Sequence, residues 1–112
     1  MSVQAKSLFP PLQLAAAEVA QYTAPAATRT IIDKLTGTNT TAAAATVTVK
    51  LVPNGGAAGV TNTIVSVKSI APGECYTFPE IVGHVLNPGD FISTLAGTAA
   101  AITLRGSGRE VS

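Results

Sequence analysis

Charge is scarce in this chain. Asp, Glu, Lys and Arg together make up 12% of its 112 residues, about half the share of an ordinary soluble domain. The net charge is +1, and the seven basic residues form no run. Counterion-driven nucleic-acid binding needs clustered Lys and Arg, so nucleic acid is not expected as a partner. There is one cysteine, Cys75, which excludes an intrachain disulfide framework. There is one histidine, His84, and no tryptophan. The aromatics are only Phe9, Tyr22, Tyr76, Phe78 and Phe91, too few for a base-stacking platform. No stretch approaches the roughly 20 apolar residues of a membrane span. The first eleven residues hold no apolar segment of signal-peptide length, so synthesis in a cytoplasm is expected, with no membrane partner.

Reactive chemistry is equally thin. A nucleophile needs a neighbouring base, and His84 sits alone between Gly83 and Val85. One His and one Cys do not make a zinc site, and the six carboxylates are far apart in sequence, so neither metal nor other cofactor is expected. Asp33-Lys34 and Arg109-Glu110 read as solvated surface charges. The segment 54–59, Asn-Gly-Gly-Ala-Ala-Gly, lacks the Gly-Lys-Ser/Thr ending of a phosphate loop and reads as a hairpin connection. Asn39-Thr40-Thr41 matches a glycosylation acceptor in form only, as expected by chance in a Thr-rich chain. No enzyme is expected.

What the chain does have is β periodicity. Residues 46–52 alternate Val47, Val49 and Leu51 with Thr46, Thr48 and Lys50, the pattern of a half-buried strand. A second run, 61–70, places Val65 and Val67 on one face; the two form a hairpin across the Gly-rich loop. Residues 28–38 are rich in Thr and Ile and favour a strand. Pro72-Gly73 and Pro88-Gly89 mark turns, followed by short strands at 75–78 and 91–95. The last run, 99–105, carries Ile102 and Leu104 on one face and continues past Gly106 and Gly108 with a bulge or bend. Residues 12–20 fit a helical face or a strand, with extended structure favoured between the flanking prolines. Residues 80–86 fit irregular structure or one turn.

Seven or eight short strands without βαβ alternation indicate an all-β, single-domain antiparallel sandwich of jelly-roll type, spanning residues 12–112. The core is Val, Ile and Leu with little bulk. Residues 1–11 form an apolar, proline-stiffened arm ahead of it. Leu8, Phe9, Pro10, Pro11 and Leu12 are the candidate protein-contact residues, with two readings open: the arm reaches onto a neighbour, or it folds back to close its own sheet. On the first reading, deletion of residues 1–11 leaves the β body folded. A surface of Thr, Ser, Ala, Asn and Gly is cheap to desolvate, which fits a subunit packed repeatedly against other protein.

Several segments carry a resemblance: 22–32 (Tyr-Thr-Ala-Pro-Ala-Ala-Thr-Arg-Thr-Ile-Ile), Thr38-Asn39-Thr40-Thr41, 47–53, Ile70-Ala71-Pro72-Gly73-Glu74 and 86–92. Together the chain resembles small β-rich virion structural proteins of tailed bacteriophages, over about residues 21–111. The resemblance implies a capsid cement or decoration subunit on the capsid exterior. It would contact the major capsid protein and itself, as a dimer or trimer, with no catalytic residues. The alternative it leaves is a tail- or fibre-associated receptor- or carbohydrate-binding module, for which Tyr22, Tyr76 and Phe91 are the candidate stacking residues.

Overall fold

The computed structural model describes residues 2–112. Nine strands form two antiparallel sheets: β1 Val3–Gln13, β2 Val19–Thr23, β3 Arg29–Asn39, β4 Ala45–Val52, β5 Thr63–Ile70, β6 Cys75–Tyr76, β7 Val85–Leu86, β8 Phe91–Ala96 and β9 Ile102–Val111. Sheet A has the order β1-β9-β3-β6, with β7 also pairing β3; sheet B has the order β2-β8-β4-β5. First pairs with last, second with second-last, and so inward to the β4–β5 hairpin. That is one long hairpin rolled over on itself, the connectivity of a jelly roll. The expected all-β sandwich of jelly-roll type is therefore what the chain forms.

The core lies between the sheets. Ile32, Leu35, Val47, Val49, Ile70, Phe78, Ile81, Ile92, Ile102 and Leu104 are fully buried there. The period-two pattern positions most of them. In β9, Ile102 and Leu104 point inward, as do Gly106 and Gly108 beyond them, while Arg105 and Arg109 are exposed. The Pro-Gly turns close as expected. Gly73 and Gly89 have φ of +74° and +86°, and Glu74 and Asp90 donate their N–H back to Ala71 and Asn87.

Four expectations change. First, β9 runs through Gly106 and Gly108 without a bulge; the irregularities fall in its neighbours, after Ser7 in β1 and at Asp33 in β3. A Cβ on Gly106 would lie 2.8 Å from the Phe9 ring, and one on Gly108 would lie 2.2 Å from the Ile31 carbonyl oxygen. The glycines admit adjacent chains, and those chains bend.

Second, Val65 and Val67 do not share a face. Val65 is buried and Val67 is 64% exposed. Val67 takes φ +46°, rare for a β-branched residue, and its N–H donates to Thr48 Oγ1 at 3.0 Å. The bulge resets the alternation. Third, the 75–78 strand is only Cys75–Tyr76; Phe78 turns away with φ +48° and its ring fills the core against Gly37.

Fourth, no boundary separates an arm from a body at residue 11. β1 pairs with β9 from Val3 to Gln13, and Leu8 and Phe9 are 7% and 4% exposed within the core. Met1, the first residue of the expected arm, lies outside the described residues. The 12–20 segment is extended at both ends, with Leu14 buried between β1 and β2.

Candidate functional site

The five residues picked out as protein contacts divide. Leu8 and Phe9 are core side chains of this chain, not side chains offered to a neighbour, because the bulge after Ser7 turns both inward over Gly106. Pro10 and Pro11 are exposed on β1, the edge strand of sheet A, and Leu12 is half-buried against the core. Prolines on an edge strand remove N–H donors that another strand would otherwise pair with. This edge is thus closed to strand addition along part of its length.

Among the described residues, Cys75 and His84 are not brought together. Cys75 pairs with Thr38 on β3, while the His84 carbonyl accepts from Ile32 N–H on the same strand. Six residues of extended chain separate those points, roughly 15–20 Å, so the two do not meet. Among the described residues no three His, Cys, Asp or Glu side chains gather into a metal cluster. Each of the six carboxylates has a local task. Asp33 holds Arg109, Glu74 accepts from Ala71 N–H, and Glu80 accepts from the Tyr76 hydroxyl. Asp90 accepts from Asn54 N–H and Asn87 N–H at 2.8 and 3.0 Å, tying two turns together. Asn39 is fully buried, its amide donating to Ala43 and Ile70 carbonyls and accepting from Thr41. In the folded chain it offers no free nitrogen to a glycan.

The remaining two carboxylates close the sandwich. Glu110 Oε2 accepts from the Tyr22 hydroxyl at 2.5 Å and lies 3.5 Å from Lys6 Nζ. Tyr22 also shares a 2.7 Å hydrogen bond with buried Thr30. Tyr22 belongs to β2 in sheet B and its partners to sheet A, so this group latches one sheet to the other. Burial, and then donation to Glu110, push the Tyr22 phenol up to about 12. On sheet B, Glu18 pairs with Lys50 and accepts from Ser93 Oγ at 2.5 Å. Burial alone would raise its pKa, but Lys50 and Ser93 together hold it below the usual carboxylate value.

Sheet A presents a broad outer face. Residues paired across antiparallel strands point to the same side. The pairs Lys34 with Ser107, Thr36 with Arg105 and Thr38 with Thr103 therefore share that face. Lys34, Thr36, Arg105 and Ser107 line a shallow cleft of about 300 Å³. Along the chain the basic set is scattered, in no run. Its spacing along the chain gave no signal that β9 inserts beside β3.

No family model matches the chain, and no curated protein matches it in sequence. A chain in the structure of infectious bursal disease virus Gx strain is similar in fold, with TM-score 0.52 at 13% sequence identity. The alignment covers 97% of this chain and 32% of that one, so this chain spans about a third of the length of its structural neighbour. The likeness supports the jelly-roll fold over nearly the whole length described here.

Proposed function

We propose that the chain is a virion structural protein: a cement or decoration subunit that binds the outer surface of a major capsid lattice and stabilises the head. It is made in the host cytoplasm and works on the capsid exterior, touching the major capsid protein and further copies of itself as a dimer or trimer. The all-β sandwich fold carries this reading, because a chain from a virus structure is similar to it in fold over 97% of this chain. Two further observations support it. The carboxylates are committed to ion pairs, turns and the inter-sheet latch, which leaves no acid pair for hydrolytic work. The exposed surface of Thr, Ser, Ala and Pro desolvates at low cost when copies pack by symmetry.

The carbohydrate-binding alternative on a tail or fibre draws less support. Tyr22 is turned inward with its hydroxyl taken by Glu110 and Thr30, which removes it as a sugar-stacking ring. Quantitative mass spectrometry of purified particles tests the proposal. The expected result is a copy number comparable to that of the capsid subunit, on heads separated from tails. A handful of copies, confined to the tail fraction, would replace the first reading with the second; absence from particles would end both.

A further inference from the structure

Of the seven basic side chains, four have partners. Lys6 pairs with Glu110, Lys50 with Glu18 and Arg109 with Asp33, while Lys68 Nζ lies 4.8 Å over the Tyr76 ring. Arg29, Lys34 and Arg105 are exposed and form no ion pair among the described residues. All three lie on the outer face of sheet A: Arg29 opposite Val111, Lys34 opposite Ser107, and Arg105 opposite Thr36. The one acid on these two strands' exposed side, Asp33, is occupied by a two-pronged contact from Arg109 at 3.0 Å. In a chain with net charge +1, the Lys and Arg side chains that have no ion pair or ring contact among the described residues are thus gathered on one sheet face.

We infer that this face is a docking surface for an acidic segment of a partner protein, with the Lys34–Thr36–Arg105–Ser107 cleft as its carboxylate-binding centre. The chemistry suits that ligand. A guanidinium and an ammonium supply charge-assisted hydrogen bonds to carboxylate oxygens, and the two flanking hydroxyls donate to the lone pairs left over. Nucleic acid fits less well. Three cations are about half or fewer of the phosphate contacts typical of a duplex-binding surface, and no aromatic side chain is placed on this face to take a base. The surrounding Thr and Ser side chains form a polar but uncharged rim of the kind that packs against protein.

The partner's identity as a capsid subunit rests on the assembly reading; the face itself does not. The test uses the full chain and a labelled oligoglutamate peptide at low ionic strength, followed by fluorescence anisotropy and by amide chemical-shift mapping. Binding should move the signals of residues 34–36 and 105–107 and weaken as salt rises. Lys34→Gln and Arg105→Gln should each weaken it about tenfold, and together about a hundredfold. Thr36→Val should weaken it by a smaller factor, and Lys68→Gln should leave it unchanged. Each variant's thermal unfolding is measured alongside, so lost binding with intact folding is distinguished from lost structure. Three results would overturn the inference: no peptide binding, shifts that map elsewhere, or tighter binding of a DNA duplex or heparin than of the peptide. If the peptide binds as described while the protein is missing from particles, the docking face stands and the capsid assignment falls.

Discussion

In the central strands of sheet A, close approach is made possible by glycine: Gly37 under the Phe78 ring, Gly106 under Phe9 and Gly108 against the Ile31 carbonyl. Sheet B has no glycine in any strand. It instead buries small hydroxyls, Thr94 on the core side with Val49, and Thr48 and Ser93 on the opposite side with Lys50. Thr48, Ser93 and Thr94 are 9%, 2% and 1% exposed, and bond to Val67 N–H, Glu18 and the Gln21 amide. The two solutions have opposite weaknesses. A glycine-lined sheet fails when a side chain gains volume, because the neighbour is backbone or a packed ring. A hydroxyl-lined sheet fails when a side chain loses its polar atom, because a buried donor is left without a partner. The outer faces differ in the same way: sheet B pairs its Lys50 with Glu18, and sheet A leaves Lys34 and Arg105 open.

Gly108→Val should break the comparison most severely on the sheet A side. The added atoms meet the Ile31 carbonyl, which has no rotamer to escape into. The cost should exceed the roughly 1–3 kcal/mol of ordinary overpacking, enough to abolish cooperative unfolding in a urea titration. Phe9→Ala comes next. It removes a ring that is 4% exposed and bridges β1 to the core above Gly106. A loss of about 3–5 kcal/mol is expected by the same titration. Deleting residues 1–11 removes that ring and most of β1, so the β body should not survive the deletion, contrary to the arm expectation. A truncated chain with an unchanged unfolding midpoint would restore the arm.

Sheet B gives the opposite prediction. Thr48→Val keeps shape and removes the acceptor that Val67 N–H uses. About 1–3 kcal/mol should be lost, although the substitution adds apolar surface to a buried site. In sheet A the matching exchange, Thr36→Val at a half-buried outward position, should change stability by less than about 0.5 kcal/mol. Equal effects at the two positions would mean that the sheets do not differ as argued.

The all-β sandwich was legible because strand and turn chemistry coincide. Val47 and Val49 alternate with polar neighbours, and Pro72-Gly73 and Pro88-Gly89 close turns where the chain must reverse. What the sequence hid has two causes. Bulges change which face a residue serves without changing its type: Val67 looks like a partner of Val65 and Leu8 looks like part of a proline-stiffened arm, yet one faces solvent and the other the core. Long-range pairing is also invisible in a single chain. Arg29 and Lys34 share a face of β3 only because of the irregularity at Asp33, and the insertion of β9 between β1 and β3 brings Arg105 beside them. Cys75 and His84 attach at separate points along β3, a placement that their nine-residue spacing in the chain does not reveal.

Acid titration separates the paired charge of sheet B from the open charge of sheet A. The Glu18 carboxyl is held below its ordinary value of 4.5 by Lys50 and Ser93 against the opposing effect of burial. A depressed folded-state pKa contributes stability above the unfolded value, and that contribution is lost as pH falls through the folded one. Glu18→Gln should therefore reduce stability near neutral pH by about 0.5–1 kcal/mol, discounted because the carboxylate is a third exposed. The difference from the native chain should begin to shrink as pH falls below the ordinary value of 4.5 and vanish only once Glu18 is protonated in the folded chain as well. Unfolding midpoints measured from neutral pH down to about pH 3 check both statements.

The smallest expected effect is also the most diagnostic. Lys34→Gln and Arg105→Gln remove charges that touch no carboxylate, from exposed positions on the outer face of sheet A. Each should leave stability within about 0.5 kcal/mol of the native chain at neutral pH, on either side of zero. Relief of repulsion between the two cations makes a slight gain as natural as a slight loss, since both line the same cleft. A loss of more than about 1 kcal/mol would mean that these side chains are bound within the fold itself, for instance along the stems. They would then have no freedom to receive a partner. A null effect on folding joined to a large effect on peptide binding is the combination that a surface retained for contact, not for stability, must produce.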